Sequence, residues 1–324
     1  MINRRTCTSR LLAAATLPAW VSTSRANDAV VRWIVPFPAG GPLDAVARKL
    51  AEGVGPRVKQ TIVIDNKAGA NGSIGTAEVV RAAPDGRTFA LAIPDSLISV
   101  ASLVKNPPYD ARGDLTLITQ MVASSVVLMA HSKVGASWMA ELMAKARQAN
   151  PPIGYGSWGP GTLPHLVMSA IEAQSTATFT HVPYRGAAPA LQDLAGGQVQ
   201  LGFGPAHVAL QYQQKGLATP IAVTGQRSAL LPDVPTLAEQ GFKGPVEESR
   251  IWFALVGPKG LAAQEVQRWY DAIGAAVRAP EFERFLAGIG FVPFMNSPQQ
   301  FAQSLAKEHE VTNQLIRKLG INPT

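Results

Sequence analysis

A single cysteine, Cys7, in 324 residues leaves no pair for a disulfide and no thiolate cluster for a metal. Charge is also sparse, at 16%, and no run of several lysines or arginines exists to follow a phosphate backbone, so nucleic acid is not an expected partner. The histidines His131, His165, His181, His207 and His309 never fall in an HxxxH or HxH spacing; no metal and no other cofactor is expected. Ser73 and Ser157 both lack the first glycine of a GxSxG elbow, so a serine hydrolase has no motif to rest on. The chain has no tandem repeat, no low-complexity linker and no apolar run of the roughly 20 residues that span a bilayer. What is present, 47% hydrophobic residues, is ample for compact cores.

The first 26 residues have the three parts of a secretory signal peptide. Arg4, Arg5 and Arg10 form a basic start, residues 11–20 a short apolar core, and Ser24-Arg25-Ala26 a small-x-small cleavage site. Arg4-Arg5 also permits the twin-arginine export route, but two arginines are expected in any basic start, so that is the minority reading. Cys7 precedes the apolar core, where a lipoprotein acceptor would follow it. The expected product is a soluble, monomeric periplasmic protein. Arg4, Arg5, Arg10 and Arg25 are four of the 29 basic residues and no acid accompanies them, so cleavage lowers the formal charge from +7 to +3.

The remaining length suggests two domains. Short β-rich runs alternate with helical stretches, the pattern of parallel α/β layers. Strands are expected at 30–35, 61–65, 88–93, 115–120, 126–130, 153–155, 179–182, 199–203, 221–223 and 251–256. Helices are expected from Pro42, Ile74, Trp138, Thr162, Ala187, Ala262 and Pro298, the last opened by Ser297-Pro298, an N-cap followed by proline at the first helical position. The runs near 115–130 and 250–256 are candidate crossings between two lobes. They divide the chain into a signal peptide at 1–26, lobe 1 at 27–124 and 252–324, and lobe 2 at 125–251, hinged at the crossings.

Two glycine-rich strand-to-helix turns carry the functional signal. Pro36-Phe37-Pro38-Ala39-Gly40-Gly41-Pro42-Leu43-Asp44 follows one apolar strand, and Gly156-Ser157-Trp158-Gly159-Pro160-Gly161-Thr162-Leu163-Pro164-His165 follows another. Glycine lets backbone approach a ligand, and each helix start offers unpaired N–H groups and the positive end of its dipole. Two such ends facing each other make an anion clamp. Gly41 and Gly161 are expected to tolerate bulk poorly. Asp44, near the third helical position, reads as an organiser of its loop, and His165 as a brace for the second turn. Gly154-Tyr155-Gly156-Ser157-Trp158-Gly159 satisfies GxGxxG, yet Pro160-Gly161 delay the helix past where a pyrophosphate would need it, so a nicotinamide cofactor is discounted. Asn71, Gly72 and Ser73 precede a further helix, as does Arg185, which fits a carboxylate partner, although a solvated surface is the commoner outcome for an arginine. Phe37 and Trp158 suit either pocket walls or core packing.

Together these residues resemble the Bug-type periplasmic solute-binding proteins of tripartite tricarboxylate transporters, over essentially the whole mature chain. The motifs, in order, are Val35-Pro36-Phe37-Pro38-Ala39-Gly40-Gly41-Pro42-Leu43-Asp44, Gly69-Ala70-Asn71-Gly72-Ser73-Ile74-Gly75, Pro84-Asp85-Gly86-Arg87-Thr88, the second glycine turn through Leu166, His181-Val182-Pro183-Tyr184-Arg185-Gly186-Ala187-Ala188-Pro189-Ala190, Asp193-Leu194-Ala195-Gly196-Gly197-Gln198-Val199 and Leu231-Pro232-Asp233-Val234-Pro235-Thr236-Leu237-Ala238-Glu239. The resemblance implies an α/β fold of the type II, two-lobed flytrap kind, each lobe a mainly parallel sheet flanked by helices. It implies a receptor, not an enzyme, that closes on a small carboxylate and presents it to membrane permease subunits; a sensor kinase is the alternative partner. The ligand residues it suggests are Phe37, Ala39, Gly40, Gly41, Asp44, Asn71, Gly72, Ser73, Ser157, Trp158, Gly161, Thr162, His165, Arg185 and Gly204. Leu43 stands where the family usually has threonine, and Gly204-Pro205 where many members carry an aspartate. Asp95 stands where small hydroxylated residues are common; it fits either recognition of an amino group or a cap on the turn after it. A di- or tricarboxylate, an acidic amino acid and an aromatic acid all fit. A secreted hydrolase using Ser157, His165 and Asp44 is the competing class.

Overall fold

The computed structural model describes residues 30–244 and 249–321. The signal-peptide reading, Cys7 included, lies outside them. In chain order the elements are β1 (Val31–Val35), α1 (Pro42–Val58), β2 (Ile62–Asn66), α2 (Ser73–Val80), β3 (Thr88–Ala92), α3 (Val100–Leu103), α4 (Ala111–Asp114), β4 (Leu115–Ser124), β5 (Val127–His131), α5 (Met139–Gln148) and β6 (Ile153–Ser157). There follow α6 (Leu163–Ala173), β7 (Phe179–Pro183), α7 (Ala187–Gly196), β8 (Leu201–Gly204), α8 (Ala206–Gln214), β9 (Ala218–Val223), β10 (Ile251–Pro258), α9 (Ala263–Val277), α10 (Pro280–Ile289), β11 (Val292–Pro293) and α11 (Pro298–Lys318). A 3₁₀ turn at Ala70–Gly72 and a π turn at Asp95–Ser99 introduce α2 and α3.

The strands form two sheets, each covered on both faces by helices. The first runs β11-β4-β10-β3-β1-β2 and the second β7-β6-β8-β5-β9. In the first, β1 is buried along nearly its whole length, which is why it reads as a continuous apolar run rather than an alternating one. On one face Val46, Leu50 and Val54 of α1 pack with Trp269, Ile273 and Leu286 of α9 and α10; on the other lie Leu97, Val100, Phe301 and Leu305. The second sheet is packed by Leu142, Val167 and Ile171 on one side and by Leu191, Leu194 and Ala209 on the other.

Both sheets are mixed rather than mainly parallel. β1 pairs parallel with β2 and β3, and β6 with β7 and β8, whereas β10 runs antiparallel to β3 and β4, and β5 antiparallel to β8 and β9. The antiparallel members are the strands that pass between sheets: β4 runs almost directly into β5, with no helix to turn the chain back into a parallel partner. At this junction Ile251 pairs with Ser124, so the outgoing and returning strands lie side by side. β10 shifts register twice against β4, after Phe253 and after Leu255.

The Ser297 hydroxyl accepts from Gln300 N at 3.2 Å, and Gln300 Oε1 accepts in turn from Ser297 N at 2.8 Å, so α11 begins at the expected cap. Its body packs on the first lobe, while Ile316 meets Leu103 and Leu166, and Leu315 reaches the second lobe's core. The single helix expected from Ala262 is two: Pro280, with no N–H to donate, starts α10 after only two residues, Arg278 and Ala279, beyond the end of α9. Helix α8, which follows Gly204-Pro205 and carries few large apolar residues, has no counterpart among the expected helices.

Candidate functional site

The first glycine turn is organised by one carboxylate. Asp44 Oδ2 accepts from Gly40 N and Arg48 Nε, each at 3.0 Å, and Oδ1 accepts from Asn66 Nδ2 at 3.0 Å. Burial pushes the Asp44 carboxyl up, but the hydrogen bonds from Arg48, Gly40 and Asn66, with the Arg48 charge, outweigh it and hold the group below the usual carboxylate range. Gly40 takes a positive φ of 81°, and both Ala39 and Gly40 are exposed. The first turn of α1 receives no side-chain cap.

The second glycine turn is satisfied from within. His165 Nδ1 accepts from Gly161 N at 2.8 Å, and the Thr162 hydroxyl donates to Gly159 O at 2.7 Å. Ser157 Oγ, fully buried, pairs with His181 Nε2 at 2.6 Å and with the Gly159 backbone. Tyr155, His181 and His165 stack in series, with ring centroids 5.0 and 4.1 Å apart. Burial lowers both histidines; His181, with His165 beside it, falls to about 4, so both are neutral near pH 7. The N–H of Leu163, first residue of α6, goes to Asp95 Oδ1 at 3.2 Å.

That last bond joins the lobes. Asp95 therefore does not cap its own turn; it is buried at the start of an opposing helix, on the wall of a cavity it shares with Leu163, Leu166 and Trp252. Burial raises its carboxyl to about 7 against a smaller lowering from the Leu163 N–H. Asn71 Nδ2 donates to Pro160 O at 2.6 Å, a second tie across the cleft, and His207 Nδ1 pairs with Ile289 O at 2.8 Å. A Cβ added at Gly186 would lie 3.1 Å from Pro38 Cδ, and one at Gly161 only 1.5 Å from Leu103 Cδ1. The lobes are thus closed on one another.

Two adjoining cavities lie between them, sharing Phe37 and Trp158 as walls. The outer one, about 230 Å³, is bounded by residues 69–72, Gly159, Pro160 and Arg185. Among the described residues Arg185 makes no hydrogen bond or ion pair. The inner one, about 50 Å³, is bounded by Gly41, Pro42 and Leu43 at the start of α1, Ala187 and Ala188 at the start of α7, and Pro205 at the start of α8. None of these three helices has a side-chain cap at its N-terminus. First-turn N–H groups have no partner within their own helix, so three positive dipole ends converge on one small space.

Of the residues suggested by sequence, Phe37, Gly41, Asn71, Gly72, Trp158 and Arg185 line these cavities. Ala39, Gly40, Asp44, Ser73, Ser157, Gly161, Thr162, His165 and Gly204 do not; most support the loops from behind. Gly204 is closed off by Leu191 and Met129, and its neighbour Pro205 is the residue at the wall. The site also differs from two facing glycine turns: α6 gives its first N–H, that of Leu163, to Asp95 and has Pro164 next, while α7 and α8 stand opposite α1 instead. Gly41 has space for a methyl, since an added Cβ would meet only Pro38 O at 3.5 Å. The hydrolase constellation is not assembled, because Ser157 pairs with His181 and Asp44 is engaged with Arg48. Among the described residues no three His, Cys, Asp or Glu converge as metal ligands, and no helix is long and apolar enough to cross a membrane.

Two lobes joined by paired crossing strands and closed over a cleft of helix N-termini define the class of two-lobed solute-binding proteins. The structure of the periplasmic binding protein BugD superposes with a TM-score of 0.85 at 30% identity, covering 91% of this chain and 99% of the other. A second structure, R. palustris Rpa4515 with adipate, gives 0.84 at 29%, covering 91% and 98%. A UPF0065 protein from the tcbD-tcbE intergenic region of Pseudomonas sp. strain P51 is 30% identical over 97% of this chain and 95% of its own. Residues 46–321 match the model of the tripartite tricarboxylate transporter family receptor, and the chain belongs to that family as a Bug-type receptor. It is a solute-binding protein, not an enzyme.

Proposed function

We propose that this protein captures a small carboxylate between its lobes, outside the cytoplasmic membrane, and delivers it to the membrane subunits of a tripartite transporter. The observation that carries this reading is the convergence of the uncapped N-termini of α1, α7 and α8 on one cavity. A carboxylate there takes up N–H donors that no side chain satisfies, in a largely apolar cavity where each dipole end contributes on the order of 1 kcal/mol. Arg185, at the outer cavity, adds positive charge at the mouth. The adipate in a relative of 29% identity agrees with this chemistry.

The ligand shell consists of Phe37, Gly41, Asn71, Gly72, Trp158 and Arg185, with Leu43, Ala187 and Pro205 added. Asp44, Ser157, Thr162 and His165 hold the loops in shape. Lobe 1 spans 27–124 and 252–324, lobe 2 spans 125–251, and the protein works as a monomer. The leader-like residues 1–26 support export to the periplasm. Ligand drives closure only by the difference in its affinity for the closed and open forms, and the closed surface is what the permease reads.

The test is native mass spectrometry of the purified protein followed by a thermal-shift screen with hexanoate, benzoate, malate, citrate and aspartate. A ligand at a hundredfold excess over Kd adds about 2.7 kcal/mol to apparent stability. At least one carboxylate is expected to raise Tm by several degrees; silence across the panel, with no co-purified acid, would count against the reading.

A further inference from the structure

We propose that the cleft selects a carboxylate with one charged head and an apolar body, and discriminates against acids carrying a second carboxylate. This rests on the carboxylate-receptor reading above and assigns the ligand class within it.

Beyond Gly41, Pro42, Ala187, Ala188 and Pro205 at the helix starts, the wall of the inner cavity is built by Leu43, Ile93, Val126, Ile251, Phe253 and Phe291, closed by the shared rings of Phe37 and Trp158. Among the described residues no charged side chain contributes to it. Among them Ser125 brings the single hydroxyl, and that hydroxyl already donates to Gln226 O at 2.7 Å. The Trp158 indole N–H points to Phe203 O at 3.4 Å and so is turned to the protein rather than to the cavity.

A first carboxylate finds main-chain donors at the starts of α1, α7 and α8. A second carboxylate, or the hydroxyl of a hydroxy acid, would be buried against leucine, isoleucine and phenylalanine without a donor. Such burial is strongly unfavourable for an ion and unfavourable for a hydroxyl. An alkyl chain or aromatic ring placed on the same wall instead gains from leaving water. On the outer side the Asn71 amide is held by Pro160 O across the lobes, and Arg185, the cation at the mouth, is exposed, so an ion pair with it is screened by water and returns a second head at most about 1 kcal/mol, less than burying that head on the apolar wall costs. Leu43 is the central determinant: it lies in the first turn of α1, next to the N–H donors, and is 5% exposed.

The test uses three compounds sharing a six-carbon skeleton, hexanoate, adipate and hexanamide, titrated calorimetrically into the ligand-free mature protein, with malate and aspartate alongside. Hexanoate is expected to bind at least tenfold tighter than adipate and malate, and hexanamide to bind far more weakly than hexanoate. Adipate binding as tightly as hexanoate, or tighter, overturns the single-head inference and leaves the carboxylate receptor standing. Hexanamide matching hexanoate overturns the carboxylate reading itself, as does the absence of binding by all five. Leu43→Thr supplies a donor to the wall and is expected to lower the hexanoate-to-adipate affinity ratio several-fold. Because that ratio is taken within one variant, a general loss of stability cancels, and an unmoved ratio overturns the role of Leu43.

Discussion

Gly161 should be more important to closure than to folding. Its φ of +67° lies in the left-handed region, and an added Cβ would sit 1.5 Å from Leu103 Cδ1. Leu103 is on α3 of the first lobe and Gly161 on the second, so the overlap exists only when the lobes meet. In Gly161→Ala the backbone penalty, roughly 1 kcal/mol, is felt in open and closed forms alike. The overlap with Leu103 is felt in the closed form alone, at about 1–3 kcal/mol for overpacking of this kind. Affinity for the best carboxylate of the panel should therefore fall roughly five- to 150-fold, with a loss of only a few degrees in the ligand-free Tm. Adding Leu103→Ala removes the obstructing methyls and should restore most of the affinity in a double-mutant cycle. Calorimetric titration of the four proteins reads the outcome. An unchanged Kd in Gly161→Ala, or a weakened one that Leu103→Ala fails to rescue, would refute the interlobe contact.

Three further outcomes are expected. Asp44→Ala strands the Gly40 N–H and the Asn66 amide, so it should cost about 1–3 kcal/mol in a denaturation measurement and weaken ligand binding as the first loop relaxes. Asp95 binds its proton more tightly folded, at about 7, than unfolded, at the ordinary carboxyl value of 3.8. Its contribution is most favourable below pH 4 and is lost as pH rises towards 7, so Asp95→Asn, which keeps an acceptor for Leu163 N–H, should flatten the fall of Tm between about pH 4 and 7; a slope equal to wild type would contradict this. Arg185→Ala, an exposed charge at the mouth, should weaken carboxylate binding roughly fivefold and reduce what salt dependence the wild type shows, while binding through the buried helix ends stays poorly screened.

Much of this architecture is legible because its signals are local. Gly40-Gly41-Pro42 announces a strand-to-helix turn, Ser297-Pro298 announces α11, and the order of the glycine and Asp-Gly turns carries the family. Nine of the expected strands start within two residues of their observed positions, and 221–223 is the end of a strand that begins at Ala218. The site was less legible because its decisive features are tertiary. Nothing near Leu163 says that its N–H will be taken by Asp95, 68 residues earlier and in the other lobe. Ala187, Ala188 and Pro205 carry no polar side chain to mark them, yet they bring the helix starts that complete the cavity. Their signal lay in what preceded them, the turns at Arg185-Gly186 and Gly204-Pro205, where a chain leaving a strand must begin a helix without a capping side chain. Conversely, Ser157, Thr162 and His165 look like ligand groups by type and are consumed by hydrogen bonds within the loop.

The most direct test of the account is a crystal structure of the protein with whichever of hexanoate, benzoate, malate, citrate or aspartate gives the largest thermal shift. The account predicts density between the Phe37 and Trp158 rings, with a carboxylate oxygen within hydrogen-bonding distance of main-chain N–H groups at the starts of α1, α7 or α8. A carboxylate bound elsewhere, or held by side chains alone while those N–H groups stay unoccupied, would contradict it.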